Sequence, residues 1–216
     1  MLRSKAEKFS CWVQVVQHDA RRSDRQRLLG TQPDTGAPIA LEAEFLDQDL
    51  RLTLGLVEPH FFAGFSGGGK AIMPGMGGLC TILGNHDAAS IGHPRATWGV
   101  TYGNPIWEEA REVALQTQPT FLLNVTLNRA KQVTGVFAGD LVSAHDAGIA
   151  FVRETAMVPV DDLFDIVITT NSGYPLDMNL YQCGKGMSAA YPVVRQGGTV
   201  IMVAECSDGI PEHGLF

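Results

Sequence analysis

The densest chemistry in this 216-residue chain lies between Glu58 and Gly75, EPHFFAGFSGGGKAIMPG. Three consecutive glycines, Gly67, Gly68 and Gly69, let the backbone approach a ligand closely, and their N–H groups can form an anion-binding nest. Lys70 follows directly; it can neutralise a phosphate or, stripped of water, act as a nucleophile. Phe61, Phe62 and Phe65 argue against a flexible surface loop, because linkers seldom carry so many aromatics. His60 stands where a strand should end, a rigid place for a general base. His86, in GNHD, follows the short apolar run 79–83 and can return to the same cleft.

Gly64 to Lys70 also satisfies the GxxxxGK part of a phosphate-binding P-loop. Ala71 then replaces the Ser or Thr that would hold magnesium, and Pro74-Gly75 falls where the P-loop helix should run. A nucleotide triphosphatase is therefore disfavoured. Gly75-Met-Gly77-Gly78 is too short for a dinucleotide fingerprint. No HxH or HExxH pattern is present, so spacing alone predicts no metal.

The elements that must position these residues alternate in type. Trp12–Val16 reads as a strand and Ser23–Leu29 as a charged helix, with Arg21, Arg22, Arg25 and Arg27 on its solvated face. Residues 49–57 (DLRLTLGLV) form a strand entering a core. Asn104-Pro105 caps a helix that runs to about Gln116. Thr120–Leu127 and Gln132–Phe137 are strands, and Gly139-Asp140 opens a helix to about Glu154. Phe164–Thr170 and Thr199–Ala204 are buried strands with helical sequence between them. This alternation predicts an α/β architecture. A boundary near Val158–Asp162 divides residues 1–160, a first α/β domain, from 161–216, the start of a second α/β domain.

Composition removes several classes. The net charge of −7 disfavours a phosphate-backbone binder, so no nucleic-acid partner is expected. No apolar run reaches the roughly 18 residues of a membrane span, and no signal peptide is evident. Cys11, Cys80, Cys183 and Cys206 are scattered without a CxxC pair and read as reduced thiols in a cytoplasmic protein.

The segment HFFAGFSGGGKAIMPG with Gly84-Asn85-His86 resembles the core signature of the nickel-pincer-nucleotide-dependent lactate racemase family. Further stretches fall in family order: Gly103-Asn-Pro105, Asn124-Val-Thr-Leu-Asn128, Ala138-Gly-Asp140 with Ala144-His145, and 173–187 (GYPLDMNLYQCGKGM). The resemblance implies a two-domain enzyme with its site in the cleft. It implies a pyridinium-3-thioamide-5-thiocarboxylic acid mononucleotide tethered to Lys70, with nickel ligated by His86. It makes His60 the group exchanging a proton with the substrate hydroxyl, and sets Gln182 and Lys185 facing the substrate. The implied reaction is racemisation or epimerisation of a 2-hydroxy acid, with the α-hydrogen leaving as hydride to the cofactor. Cofactor biosynthesis enzymes are the implied partners.

The chain departs from the family pattern in three ways. The upstream Asp-x-x-Arg and Gly-Thr-His-Arg segments, the latter supplying a second catalytic histidine, do not appear, and Gly69 stands where a basic residue is usual. The chain thus reads as truncated at both ends, and as inactive unless the missing segments are supplied. The alternatives are a noncatalytic, nucleotide-binding remnant or, less favoured, a P-loop-like phosphate-binding enzyme. His93, His145 and His213 are read as structural or surface residues, and His18, which falls in a different family segment, is not taken as the missing base.

Overall fold

The structure, a computed structural model, describes residues 14–33, 35–118 and 120–209. Strands β1 (Gln26–Thr31) and β2 (Pro38–Glu42) form an antiparallel hairpin, followed by a helical turn, α1 (Ala43–Leu46). Strand β3 (Arg51–Leu56) leads to the short antiparallel pair β4 (Pro59–His60) and β5 (Gly64–Phe65). Helices α2 (Leu79–Asn85), α3 (Ala88–Ile91) and α4 (Pro105–Leu115) come next, then β6 (Thr120–Leu127), β7 (Val133–Asp140) and α5 (Leu141–Ala156). The final elements are β8 (Phe164–Thr170), α6 (Leu180–Ala190) and β9 (Val194–Val203).

Helix and sheet alternate, as an α/β chain requires. The order β3-β6-β7 forms one sheet, with β3 parallel to β6 and β6 antiparallel to β7; β8 and β9 form a separate parallel pair. Parallel neighbours need a long crossover. Everything from Val57 to Gln118 belongs to the crossover from β3 to β6, so the glycine–lysine segment emerges at the carboxyl end of a parallel strand, where ligands of open α/β sheets bind. A second crossover, from β8 to β9, carries α6.

Local sequence explains the longer elements. Asn104 caps α4: its side-chain oxygen accepts from the amides of Ile106 and Trp107, with Pro105 in the first turn. Such a cap is worth about 1 kcal/mol. Ile106, Ala110 and Val113 recur at helical spacing and are buried. Asp140 caps α5 through the amides of Val142 and Ser143. One core cluster joins Leu41, Ile72, Met73, Val113, Leu122 and Leu141, and a second joins Val57, Phe65, Trp107, Ile149 and Val152. Each large apolar side chain buried there contributes roughly 1.5–3 kcal/mol. Two of these core residues, Ile72 and Met73, thus follow Lys70 one residue on.

Two expectations at the amino end fail. Residues 23–29 are not a helix: Ser23–Arg25 makes a single 3-10 turn and Gln26 starts β1. Tertiary pairing overrides local charge there, as β1 binds β2 and Arg25 reaches Glu42 and Glu44. The arginines are nonetheless solvated, with Arg22 on Asp24 and Arg27 on Asp47. Of the expected strand 12–16, Trp12 and Val13 lie outside the described residues, and 14–16 join no strand. Strands β7 and β9 run longer than expected, continuing through Gly139 and through Gly197-Gly198. Among the described residues, no helix is long and apolar enough to cross a membrane.

Candidate active site

Phe61 and Phe62, directly after β4, form the centre around which the charged and imidazole groups gather. Their rings meet edge-on at 4.3 Å. His60 packs on both, at 5.0 Å from Phe61 and 4.6 Å from Phe62. His86, at the carboxyl end of α2, meets Phe62 edge-on at 5.2 Å. The Lys70 ammonium lies 5.5 Å from the Phe62 centroid, and that of Lys185, from α6, lies 6.0 Å from the Phe61 centroid. Four of the residues expected from sequence therefore share one aromatic cluster, although 125 positions separate His60 from Lys185. Gln182, half-buried, precedes Lys185 by three residues and so lies on the same side of α6.

The cluster is held from behind. Asn104, fully buried, donates through Nδ2 to the Phe62 and Val100 carbonyls at 2.9 and 3.1 Å. Trp98 stands 6.3 Å from Phe61 and donates from Nε1 to Ser188 Oγ at 3.1 Å, joining the β3–β6 crossover to α6.

The three glycines work differently from an open anion nest. The Gly68 amide donates to Asn124 Oδ1 at 2.9 Å, so it is committed within the protein. Gly68 has φ +56°, and a Cβ there would stand 2.1 Å from His145 Nδ1; at Gly69 it would stand 2.7 Å from the Ala110 carbonyl. A side chain at Gly69 would require the α4 backbone to shift. The glycines let the loop press against Asn124, His145 and α4, and a single 3-10 turn, Gly68–Ala71, then presents Lys70. No helix starts where a P-loop would need one. The space behind Lys70, lined by Trp107, Arg111 and His145, is only about 10 Å³, too small for a ligand.

Asn124 and His145 were not among the expected site residues. Asn124 is fully buried in the middle of β6, between Leu123 and Val125, and an amide side chain in that apolar run was the available signal. His145 donates from Nε2 toward the Ser66 carbonyl at 3.0 Å and stacks on Trp107, a bracing role. His18 bridges Glu42 and the Gly77 carbonyl, also structurally, while His213 lies outside the described residues.

Three of these groups, His60, Lys70 and His86, are shifted by their surroundings. Burial, then the charges of Lys70, Lys185 and His86, push His60 down from 6.5 to about 3. Burial and then Lys185 push Lys70 down from 10.5 to about 8. His86 is also lowered, by burial first, against the opposing hydrogen bond to Ile82. Both imidazoles are neutral near pH 7, but in opposite senses. Ala63 N–H donates to His60 Nδ1 at 3.2 Å, which leaves the His60 proton on Nε2. His86 Nδ1 donates to the Ile82 carbonyl at 3.0 Å, which leaves Nε2 with a free lone pair. The site thus offers a neutral hydrogen-bond donor, a potential metal ligand, an activated amine and a second cation.

Comparison with known proteins shows the family and the fold. The lactate racemase N-terminal domain family matches residues 6–99, and the lactate racemase C-terminal domain family matches residues 161–216. The chain belongs to the lactate racemase family. It is 41% identical over 203 residues to a lactate racemase of Thermoanaerobacterium thermosaccharolyticum and 39% identical over 203 residues to one of Lactiplantibacillus plantarum. Both matches cover 94% of this chain and 47% of the relative, so the chain spans about half the length of the curated relatives it matches. The lactate racemase apoprotein structure from T. thermosaccharolyticum superposes with a TM-score of 0.90 at 40% identity, covering 97% of this chain and 51% of that one. A Thermotoga maritima protein shares the fold, with a TM-score of 0.69 at 20% identity over 92% of this chain and 53% of its own.

Proposed function

We propose that this chain carries the cofactor-tethering and substrate-facing parts of a racemase or epimerase of 2-hydroxy acids, lactate being the first candidate. The observation that carries the reading is the convergence of His60, Lys70, His86 and Lys185 on Phe61 and Phe62, in a chain of the lactate racemase family. Residues 1–160 would form the cofactor-binding part and 161–216 the part bringing Gln182 and Lys185 to the substrate.

The residues fit a nickel-pincer nucleotide. His86 has its Nδ1 fixed by a backbone carbonyl and its Nε2 free, the arrangement in which a neutral imidazole ligates a metal. Lys70, near 8, has about a tenth of its amines uncharged at pH 7 and so is competent to form a covalent amide-type link. When bound, the nucleotide would supply the hydrogen and electron-pair sink that no side chain here offers.

The chain's own groups do the rest. Lys185 pairs with the substrate carboxylate, and Gln182 offers an amide to a substrate oxygen. His60 rests with its proton on Nε2 and so donates a hydrogen bond to the oxygen on the reacting carbon; to take the hydroxyl proton at Nε2 the ring adopts the Nδ1–H tautomer, giving up the contact from Ala63 N–H, and becomes the imidazolium once that proton has moved. Phe61 and Phe62 exclude water and strengthen each of these interactions. Gly67, Gly68 and Gly69 seat Lys70 by close packing.

The test is chiral analysis of lactate incubated with a chimera in which this chain replaces its counterpart in a full-length relative, co-produced with the cofactor's biosynthetic enzymes, beside His60→Gln and Lys185→Met. Interconversion of the two enantiomers, lost in both variants, is expected. A loaded chimera that leaves each enantiomer unchanged would remove the racemase reading.

A further inference from the structure

Helix α6, which brings Gln182 and Lys185 to the aromatic cluster, also carries Cys183. Its sulfur lies 3.8 Å from that of Cys206, in the segment after β9. Neither is in a disulfide. The two are held together by backbone. The Cys206 amide donates to the Asp177 carbonyl at 3.0 Å, the Glu205 amide to Asp177 Oδ2 at 3.2 Å, and the Asp208 amide to the Met178 carbonyl at 2.7 Å. The Leu180 amide, at the start of α6, donates to the Gly209 carbonyl. Residues 205–209 are thereby zipped to 177–180, and the sulfurs are pre-positioned rather than meeting by chance.

A disulfide needs the sulfurs about 2.05 Å apart. From van der Waals contact, that is a rotation of two side chains on a framework already in place. We infer that Cys183 and Cys206 form a reversible disulfide under a hydroperoxide oxidant, a modification site that pins the first turn of α6 to the segment following β9.

The order of events follows from access and charge. Cys183 is fully buried, while Cys206 is partly exposed. Burial, the hydrogen bond to Cys206 and nearby Asp177, whose Oδ1 is buried without a partner, all push the Cys183 thiol up. Cys206 therefore reacts first: its thiolate attacks hydrogen peroxide, an S–O bond forms, the O–O bond breaks, and hydroxide leaves and is protonated to water. Cys183 then attacks the Cys206 sulfur, forming the S–S bond, breaking the S–O bond and releasing a second water. Two thiols lose two electrons to one peroxide. Any effect on catalysis rests on the proposed role of Gln182 and Lys185, which flank Cys183; the disulfide itself does not.

The experiment treats the folded chain with hydrogen peroxide, blocks remaining thiols after unfolding, and maps the cysteine peptides by mass spectrometry. A Cys183–Cys206 peptide lacking two hydrogens and restored by dithiothreitol is expected. Exposed Cys80 serves as the internal control for a free thiol. In Cys183→Ala, Cys206 should accumulate as a sulfenic acid trapped by a 1,3-diketone; in Cys206→Ser, Cys183 should stay alkylatable. A Cys183 that remains a free thiol in the oxidised parent chain, or a Cys206 joined to another cysteine, would overturn the inference.

Discussion

Replacing Lys185 by Met should raise the titration midpoint of Lys70 while leaving it below the ordinary 10.5. The parent amine sits at about 8, displaced first by burial and second by the charge of Lys185. That displacement corresponds to about 3.4 kcal/mol against the charged form, at 1.36 kcal/mol per pKa unit. It leaves roughly one amine in ten uncharged at pH 7, against about one in three thousand for an exposed lysine. Removing Lys185 deletes the smaller contribution and keeps the burial, so the midpoint moves part of the way. The assay is brief acylation of the folded chain across pH 6 to 11, with the modified fraction of the Lys70 peptide measured against exposed Lys131. A parent Lys70 titrating near 10.5, or a Lys185→Met midpoint no higher than the parent's, would refute the reasoning from α6 to the loop.

Two further outcomes follow from the same packing. His60, lowered from 6.5 to about 3, contributes stability that is fully present above pH 6.5 and is lost as pH falls toward 3. By pH 4 the loss should approach about 3 kcal/mol, so urea unfolding at pH 7 and pH 4 should show a larger drop for the parent than for His60→Gln; equal drops would contradict the burial argument. Gly68→Ala should destabilise the chain by about 1–3 kcal/mol, because the new Cβ meets His145 Nδ1 at 2.1 Å with φ +56°. Thermal unfolding reads that change, and an unaltered midpoint would show that the loop does not press on His145.

Sequence carried the longest elements because their signals are local. The apolar run of β6, the Asn104-Pro105 start of α4 and the Asp140 cap of α5 need no tertiary partner to be recognised. The hairpin β1–β2 was illegible because it opens in a charged stretch whose arginines find acids on other elements, such as Glu42 and Asp47. Gly139 was placed at the opening of a helix and the last strand was expected to start only at Thr199, yet β7 and β9 run through Gly139 and Gly197-Gly198 under the constraint of their neighbours. In the site, His60, Lys70 and His86 lie close along the chain and could be grouped from chemistry and spacing. Lys185 and Gln182 entered only through family resemblance, since nothing local says that α6 returns to Phe61. Gly68 was chosen for an amide free to bind an anion, and that amide instead meets Asn124, a partner 56 residues away.

Lys70 is the proposed attachment point of the cofactor. The most direct test of that role is intact-protein and peptide mass spectrometry with nickel analysis, after co-production with the cofactor's biosynthetic enzymes and beside a full-length relative made in the same cells. A sulfur-containing nucleotide adduct on Lys70, with nickel bound and depleted in His86→Ala, is the predicted result. An unmodified Lys70 beside a modified relative would contradict the account.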